Sequence, residues 1–251
     1  MKFKPLKNEF LRFGVLVLLL IVVDCRQQSS SLQIDHELNV ENISLGQKVS
    51  RIIEIPADRY AVIRVQGQGT EVVASIQDPK TDQRQTVSLL YFRLHPLFLT
   101  IQASDEVLKV ELSLDPDRTT SSGTINIQVS FLRTDSEADK RQFEAYSSIA
   151  SALTAAKTPI QEREDSLKNA ARFLRRNGQI EDAQWADFFR AYLIYMHPFD
   201  LARSLEIIEG VAKESEKHSF NQLHLASQQL LGAILVERGK DTPEVAARKF
   251  N

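Results

Sequence analysis

The chain has 251 residues, 43% apolar and 25% charged, an ordinary globular composition that excludes disorder throughout. Its 31 basic and 33 acidic residues are interspersed and leave a formal charge of −2, so no nucleic-acid or polyanion partner is implied. A single cysteine excludes an intrachain disulfide, a cysteine-rich zinc site and a cysteine–histidine nucleophile in the folded region.

The chain opens with "MKFKPLKNEFLRFGVLVLLLIVVDC". Lys2, Lys4, Lys7 and Arg12 precede an apolar run from Phe13 to Val23. That run is shorter than the roughly 20 residues needed to cross a bilayer and has the layout of a secretory signal. Residues 1–31 therefore read as a signal peptide or membrane anchor ending in the polar spacer "RQQSSS", and the expected location is the bacterial cell envelope or periplasm. A cysteine directly after the run resembles the bacterial lipoprotein signal and makes Cys25 the candidate for lipidation. Asp24 stands where that signal carries a small residue, so an uncleaved anchor and an ordinarily cleaved signal stay open.

Residues 32–133 carry short runs rich in Val, Ile, Leu, Thr and aromatics. Strands are expected at 49–56, 60–67, 70–79, 85–94, 97–104, 107–114 and 124–132. The turn residues between them include Gly67-Gln68-Gly69, Asp115-Pro116-Asp117 and Ser121-Ser122-Gly123. Short strands at near-regular spacing predict an antiparallel β-sandwich. In "TINIQVSFL", Ile125, Ile127, Val129 and Phe131 alternate with Asn126, Gln128 and Ser130, which predicts one face on a core and one in water.

From Thr134 to the last residue the period is helical. Stripes at i, i+3, i+4 and i+7 run through Phe143, Tyr146, Ala150 and Leu153, then Leu167, Ala170, Ala171 and Leu174. Trp185, Phe188, Phe189, Tyr192 and Tyr195 follow, too many aromatics for a helix buried on one side only. Leu201, Leu205, Ile208 and Ala212 form the next stripe, and Leu223, Ala226, Leu230 and Ile234 the last. "TDSE" (134–137), "TPIQ" (158–161) and "SFNQ" (219–222) each predict a capping box. Asn177-Gly178 and Gly239 predict left-handed helix ends.

Ala170, Ala202 and Ala246 recur as small residues at the expected helix crossings. Leu231, Gly232, Gly239, Ala246 and Phe250 resemble the tetratricopeptide pattern of Leu-Gly in one helix, a turn glycine, then Ala and an aromatic in the next. Residues 134–251 are therefore expected to be tetratricopeptide-like helical hairpins, the last incomplete. A β-sandwich followed by an all-α hairpin array is the expected fold. The order of export signal, sandwich and hairpins resembles the N-terminal region of bacterial CHAT-domain (caspase-like) tetratricopeptide-repeat proteins, and the sandwich is similar to the bacterial pre-peptidase C-terminal domain. The resemblance implies that a peptidase domain follows further repeats in such proteins; no catalytic residue of it has a counterpart here.

No catalytic, cofactor or metal site is expected. His218 and His224 are six apart, about 240° around a helix, and do not form a metal-binding pair. Asp115, Asp117 and Thr119 alternate as in a calcium loop, but the loop glycine and twelfth-position glutamate are missing, so 115–123 reads as a polar turn. No G-x-S-x-G, phosphate-loop or H-E-x-x-H sequence occurs. The expected function is a non-enzymatic, envelope-anchored scaffold that binds a protein or peptide through its repeats and self-associates through its C-terminal end. The alternatives of another class are the regulatory part of a CHAT peptidase and a carbohydrate- or envelope-binding sandwich.

Overall fold

A computed structural model describes residues 34–43, 49–77, 84–87, 95–103, 106–155, 157–197 and 200–239. Six strands precede five helices among them. The strands are β1 (His36–Ile43), β2 (Val49–Ile55), β3 (Arg59–Gln77), β4 (Arg84–Val87), β5 (Leu97–Gln102) and β6 (Leu108–Arg133). The helices are α1 (Glu137–Thr154), α2 (Ile160–Arg176), α3 (Ile180–Met196), α4 (Leu201–Lys217) and α5 (Asn221–Arg238). The β-then-α order is the expected one. The signal segment with Cys25, and Ala246 and Phe250, lie outside the described residues. Among the described residues no helix is long and apolar enough to cross a membrane.

The strands differ from the expected set of short ones. β3 and β6 are long, pair antiparallel from Arg59↔Arg133 to Gln77↔Glu111, and run through three of the expected turns, at 67–69, 115–117 and 121–123. The turn-forming residues mark a break in the ladder. Register jumps between Gln68↔Thr124 and Thr70↔Thr119, and again between Glu71↔Arg118 and Val72↔Pro116. Extra residues on one strand are a bulge, and a bulge is where a proline, with no N–H to give, disrupts pairing least. Residues 115–123 are accordingly part of β6 and not a turn.

The break also reverses which side chains face inward. Ala61, Ile63 and Val65 are buried on one side of it, and Ala74 and Ile76 on the other; in β6 the switch falls between Leu112 and Ile125. All of these belong to one buried cluster, so the long β3–β6 pair folds over at the break and its two halves cover each other. β1 and β5 flank one half, on β6 and β3 respectively; β2 and β4 flank the other. This is the β-sandwich.

The outer face of the first half is only partly in water. Tyr60, Val62, Phe98 and Leu132 join the buried cluster of the helices, and Ser130 is buried as well. Tyr60 stacks on Phe143 of α1 with ring centroids 4.3 Å apart, and Phe98 lies 5.5 Å from Tyr146. The alternation in β6 is thus correct for Ile125, Ile127 and Val129; on its second face Asn126 and Gln128 stay part-exposed, while Ser130 is buried.

Each helix packs on the next in sequence, and α1 lies on the sheet. The stripe of α2 is buried as expected at Leu167, Ala170, Ala171 and Leu174, and that of α5 at Leu223, Ala226, Leu230 and Ile234. α3 is buried almost all round from Asp182 to Ile194, which accounts for its aromatics. Ala170 is buried but Ala202 is exposed, so the small-residue periodicity fails. Buried Ser204 takes the crossing position instead, its hydroxyl donating to the Ala191 carbonyl at 2.8 Å.

The caps differ in detail. α1 is capped by Ser136, which accepts from the Asp139 amide, while Thr134 donates to the Asp58 carbonyl. α2 and α5 begin without a side-chain cap, and Ser219 sits at φ 59°. At the end of α2, Gly178 has φ 77°. Its amide bonds to Arg175 and that of Gln179 to Leu174, the paired closure that a left-handed residue permits. Gly239 ends α5 at φ −102°, outside the left-handed region.

Candidate functional site

Two arginine–carboxylate clusters share helix α3. The first lies at the junction with the sandwich. Tyr60 and Val62 on the outer face of β3 belong to the helical core, and Arg64, next in that alternation, reaches the first turn of α3. Its Nη2 donates to Glu181 at 2.9 Å, and Nη1 lies 3.4 Å from Asp182 Oδ1. The Tyr146 hydroxyl of α1 lies 2.5 Å from Asp182 Oδ2 and 2.7 Å from Gln179 Oε1. Gln66 of β3 bonds Gln222 of α5 nearby. Acidic residues suit a helix N-terminus, so Glu181 and Asp182 serve both the helix and the arginine.

Burial dominates the electrostatics here. It pushes the Asp182 carboxyl above its ordinary range, against the pull of Arg64 and the Tyr146 hydroxyl. It also pushes the Tyr146 phenol well up, with Asp182 adding to the effect. For Arg64 burial acts downward, but Asp182 and Glu181 outweigh it and hold the guanidinium charged. One hydroxyl proton cannot serve Gln179 and Asp182 together; a protonated Asp182 would donate to Tyr146 and leave the phenol proton for Gln179. A cleft of about 420 Å³ opens beside these residues, between β3, β6 and the α4–α5 turn.

The second cluster faces the other way. Glu164 of α2, only 2% exposed, bonds Arg203 of α4 and lies 3.6 Å from Arg190 Nε of α3. Arg190 also donates to Asp187 at 2.8 Å, and Asp187 accepts from Arg175 of α2 at 2.7 Å. Arg175, Asp187, Arg190 and Arg203 of this cluster line a groove of about 690 Å³ whose lining, among the described residues, comes from α2, α3 and α4; buried Glu164 is not part of that lining. The groove's size is in the range of ligand clefts. Lys168 and Arg175 stand on the α2 wall, and Glu206 and Glu214 on the α4 wall.

Of the residues singled out from sequence, Leu231 is half-buried against the helical core, Gly232 is buried within α5, and Gly239 caps it. They are packing positions distant in sequence from both clusters. His218 stacks on Phe220 at 5.5 Å, and His224 Nδ1 lies 3.2 Å from the Ala212 carbonyl. Among the described residues no group of His, Cys, Asp or Glu could hold a metal ion. Arg64, Asp182 and Glu164 were not expected. The one sequence signal for Glu164 is its position three residues before Leu167, on the buried stripe of α2.

No protein-family model matches the chain, and no curated protein matches it. Among solved structures it is similar to the carbohydrate-binding module TmCBM61 in complex with β-1,4-galactotriose, at 15% identity over 42% of this chain and 75% of that one, with a TM-score of 0.26. It is also similar to DesR, a β-glucosidase from Streptomyces venezuelae in complex with D-glucose, at 13% identity over 51% of this chain and 13% of that one, with a TM-score of 0.26. The VP2 subviral particle of infectious bursal disease virus matches at 13% identity over 42% of this chain and 32% of that one, with a TM-score of 0.23. Likeness this low carries no argument about activity or ligand.

Proposed function

We propose that this chain is a non-enzymatic, exported scaffold of the bacterial envelope, anchored through residues 1–31, that holds a protein partner in the groove across α2, α3 and α4. The observation that carries the reading is the groove itself: three successive helices line it, and among the described residues no strand residue does. The sandwich meets the helices at a different place, through Arg64 on α3 and the Tyr60–Phe143 stack on α1, so it holds the array in position while the groove stays open. Successive packing of helices of similar length supports a tetratricopeptide-like array, and with it the likeness to the front part of CHAT-domain proteins.

A photo-cross-linking residue at Ile207 of the full chain, irradiated in cells, tests this. A discrete protein adduct is expected there and not from the same residue at exposed Ser50 on β2. Adducts of equal yield at both positions would overturn the groove reading. Fusion of residues 1–31 to a reporter active only outside the cytoplasm tests the location independently, and an inactive, soluble reporter would remove the export part of the proposal.

A further inference from the structure

The cleft of about 420 Å³ beside Arg64 gathers polar atoms that the described residues do not satisfy. Arg64 Nε and Asp182 Oδ1 are buried, both residues line the cleft, and neither atom has a hydrogen-bond partner among the described residues. Asp182 Oδ1 has Arg64 Nη1 at 3.4 Å, near enough to pair charges but without the alignment of a hydrogen bond. The bonds that Glu181 accepts, from Arg64 and from Trp185, both fall on Oε1, so Oε2 keeps its capacity. Gln128 of β6, also on the lining, gives one long bond of 3.4 Å from Nε2 to Glu37, and its amide oxygen accepts none among the described residues. Buried polar atoms are rarely left this way, because each costs about as much as a lost hydrogen bond.

The charges around the cleft narrow what could complete these atoms. Arg64 stands between Glu181 and Asp182, so an anion entering the cleft meets two carboxylates and a cation meets the guanidinium. Burial also favours a proton on Asp182, which weakens the site further for a cation. A hydroxyl group meets neither objection, since its oxygen accepts from the arginine while its proton goes to a carboxylate. The unfilled donors and acceptors come from three elements, β3, β6 and α3, so several hydroxyls on one small frame suit them better than one. Ile34, Ile180 and Phe220 add apolar surface to the lining, which suits the C–H faces of a ring, and the volume lies at the lower end of the range of small-ligand clefts.

We propose that this cleft binds a neutral saccharide unit, with its hydroxyls bonded to Arg64, Glu181 and Gln128 and a C–H face against Phe220. The Arg64 and Glu181 side chains are 17% and 38% exposed, so the sugar can meet both from the cleft side. A hydroxyl drawn against Arg64 comes within reach of Asp182 Oδ1 as well, because that oxygen is only 3.4 Å from the guanidinium. The cleft shares no lining residue with the groove across α2, α3 and α4, and the inference does not rest on the groove reading.

Trp185 is the chain's only tryptophan and its Nε1 donates to Glu181 at 3.4 Å, so its fluorescence reports on this site without a label. The full chain is titrated with glucose, mannose and N-acetylglucosamine, and with glucuronate and glucosamine, which put a negative or a positive charge on the same kind of ring. The best neutral sugar is expected to saturate with a Kd of about 1–10 mM, and both charged sugars to bind at least about 10-fold more weakly. Gln128→Ala removes a half-buried side chain with one long bond, so it should weaken binding about 10-fold while moving the thermal midpoint by no more than about 1 °C. Phe220→Ala should weaken binding at least as much. Charged sugars that bind as tightly as the neutral ones overturn the proposal, since the charge argument selects against them. Saturation that survives both Gln128→Ala and Phe220→Ala puts the sugar elsewhere and overturns it too. If no sugar saturates by about 100 mM, the cleft holds water alone and the inference fails, while the groove reading is untouched.

Discussion

Helix α3 carries two clusters built from the same groups, and they behave differently because of what surrounds them. At its first turn, Glu181 and Asp182 meet Arg64 from a strand more than a hundred positions away in the chain, and the side chains of Arg64 and Asp182 are 17% and 11% exposed. In its middle, Asp187 and Arg190 meet Arg175, Glu164 and Arg203, and two of these arginines, Arg175 and Arg203, are about 40% exposed. In the first cluster Arg64 and Asp182 therefore depend on each other, because neither can turn to water, although Glu181 beside them is 38% exposed. In the second a bereaved arginine can swing outward. Enclosure makes the Arg64–Asp182 pair a lock between sandwich and helices, whereas Arg175 and Arg203 leave the other cluster open to water.

The largest effect should come from breaking the lock on one side. Arg64→Leu leaves Asp182 buried without its cation and is expected to cost about 3–5 kcal/mol in urea unfolding. Pairing it with Asp182→Leu should recover most of that loss, since removing both charges removes the uncompensated one. A single variant that unfolds like the native chain would mean that the junction is wetter than its geometry implies. In the groove, Glu164→Gln should cost only about 1–3 kcal/mol, although Glu164 is the more buried carboxylate, because Arg203 can turn to water and Arg190 keeps its bond to Asp187. A loss as large as that of Arg64→Leu would erase the distinction between the clusters.

The same contrast predicts a pH signature. Burial raises the Asp182 pKa above the ordinary 3.8, so the folded chain holds that proton more tightly than the unfolded chain. Stability from this group is therefore fullest in acid and falls as pH rises from about 4 through the raised value, then stays level. Asp182→Asn imitates the protonated form and should lack that decline. The difference between the unfolding free energies of the two chains, followed from about pH 4 to 7, should change with pH in this direction. A difference that is flat, or that grows the opposite way, would show that Arg64 outweighs burial.

The two clusters also mark how far sequence reading reaches. Stripes such as Leu167, Ala170, Ala171 and Leu174 are legible because a helix repeats every few residues and its burial is recorded locally. The expected short strands failed at Gly67, Pro116 and Gly123 for a related reason: residues that end strands also mark bulges, and only the partner strand decides between the two. Arg64 could not be matched with Asp182, since nothing local distinguishes it from any outward-facing strand residue. "IEDAQW" reads equally well as an ordinary acidic helix start. Glu164 was nearer to being legible, as a charge on the buried stripe.

A smaller effect isolates local backbone from charge. Gly178 closes α2 at φ 77°, and Gly178→Ala should cost about 1–2 kcal/mol, because a Cβ strains the left-handed conformation. Loss of cooperativity in the helical half alone would be read from unfolding followed by Trp185 fluorescence. That residue is fully buried in the helical core, so its signal reports this half directly.

The smallest effect bears most directly on why the clusters differ. Glu54 and Lys109 are cross-strand neighbours on β2 and β6, and their ion pair is 2.7 Å long, the same length as that between Arg175 and Asp187. By distance alone the two pairs are equal. The Glu54 and Lys109 side chains, however, are 60% and 64% exposed, whereas Asp187 is 15% exposed and also accepts from Arg190. Water already solvates each partner of the surface pair, salt screens it, and holding two long side chains together loses rotamer freedom. Lys109→Ala is therefore expected to change stability by no more than about 0.5 kcal/mol, and by less in high salt. Asp187→Ala, which strands two arginines over a partly enclosed floor, should cost several times more. If the two substitutions cost the same, contact distance and not enclosure sets the worth of these pairs, and the separate roles assigned to the lock and the groove lose their physical basis.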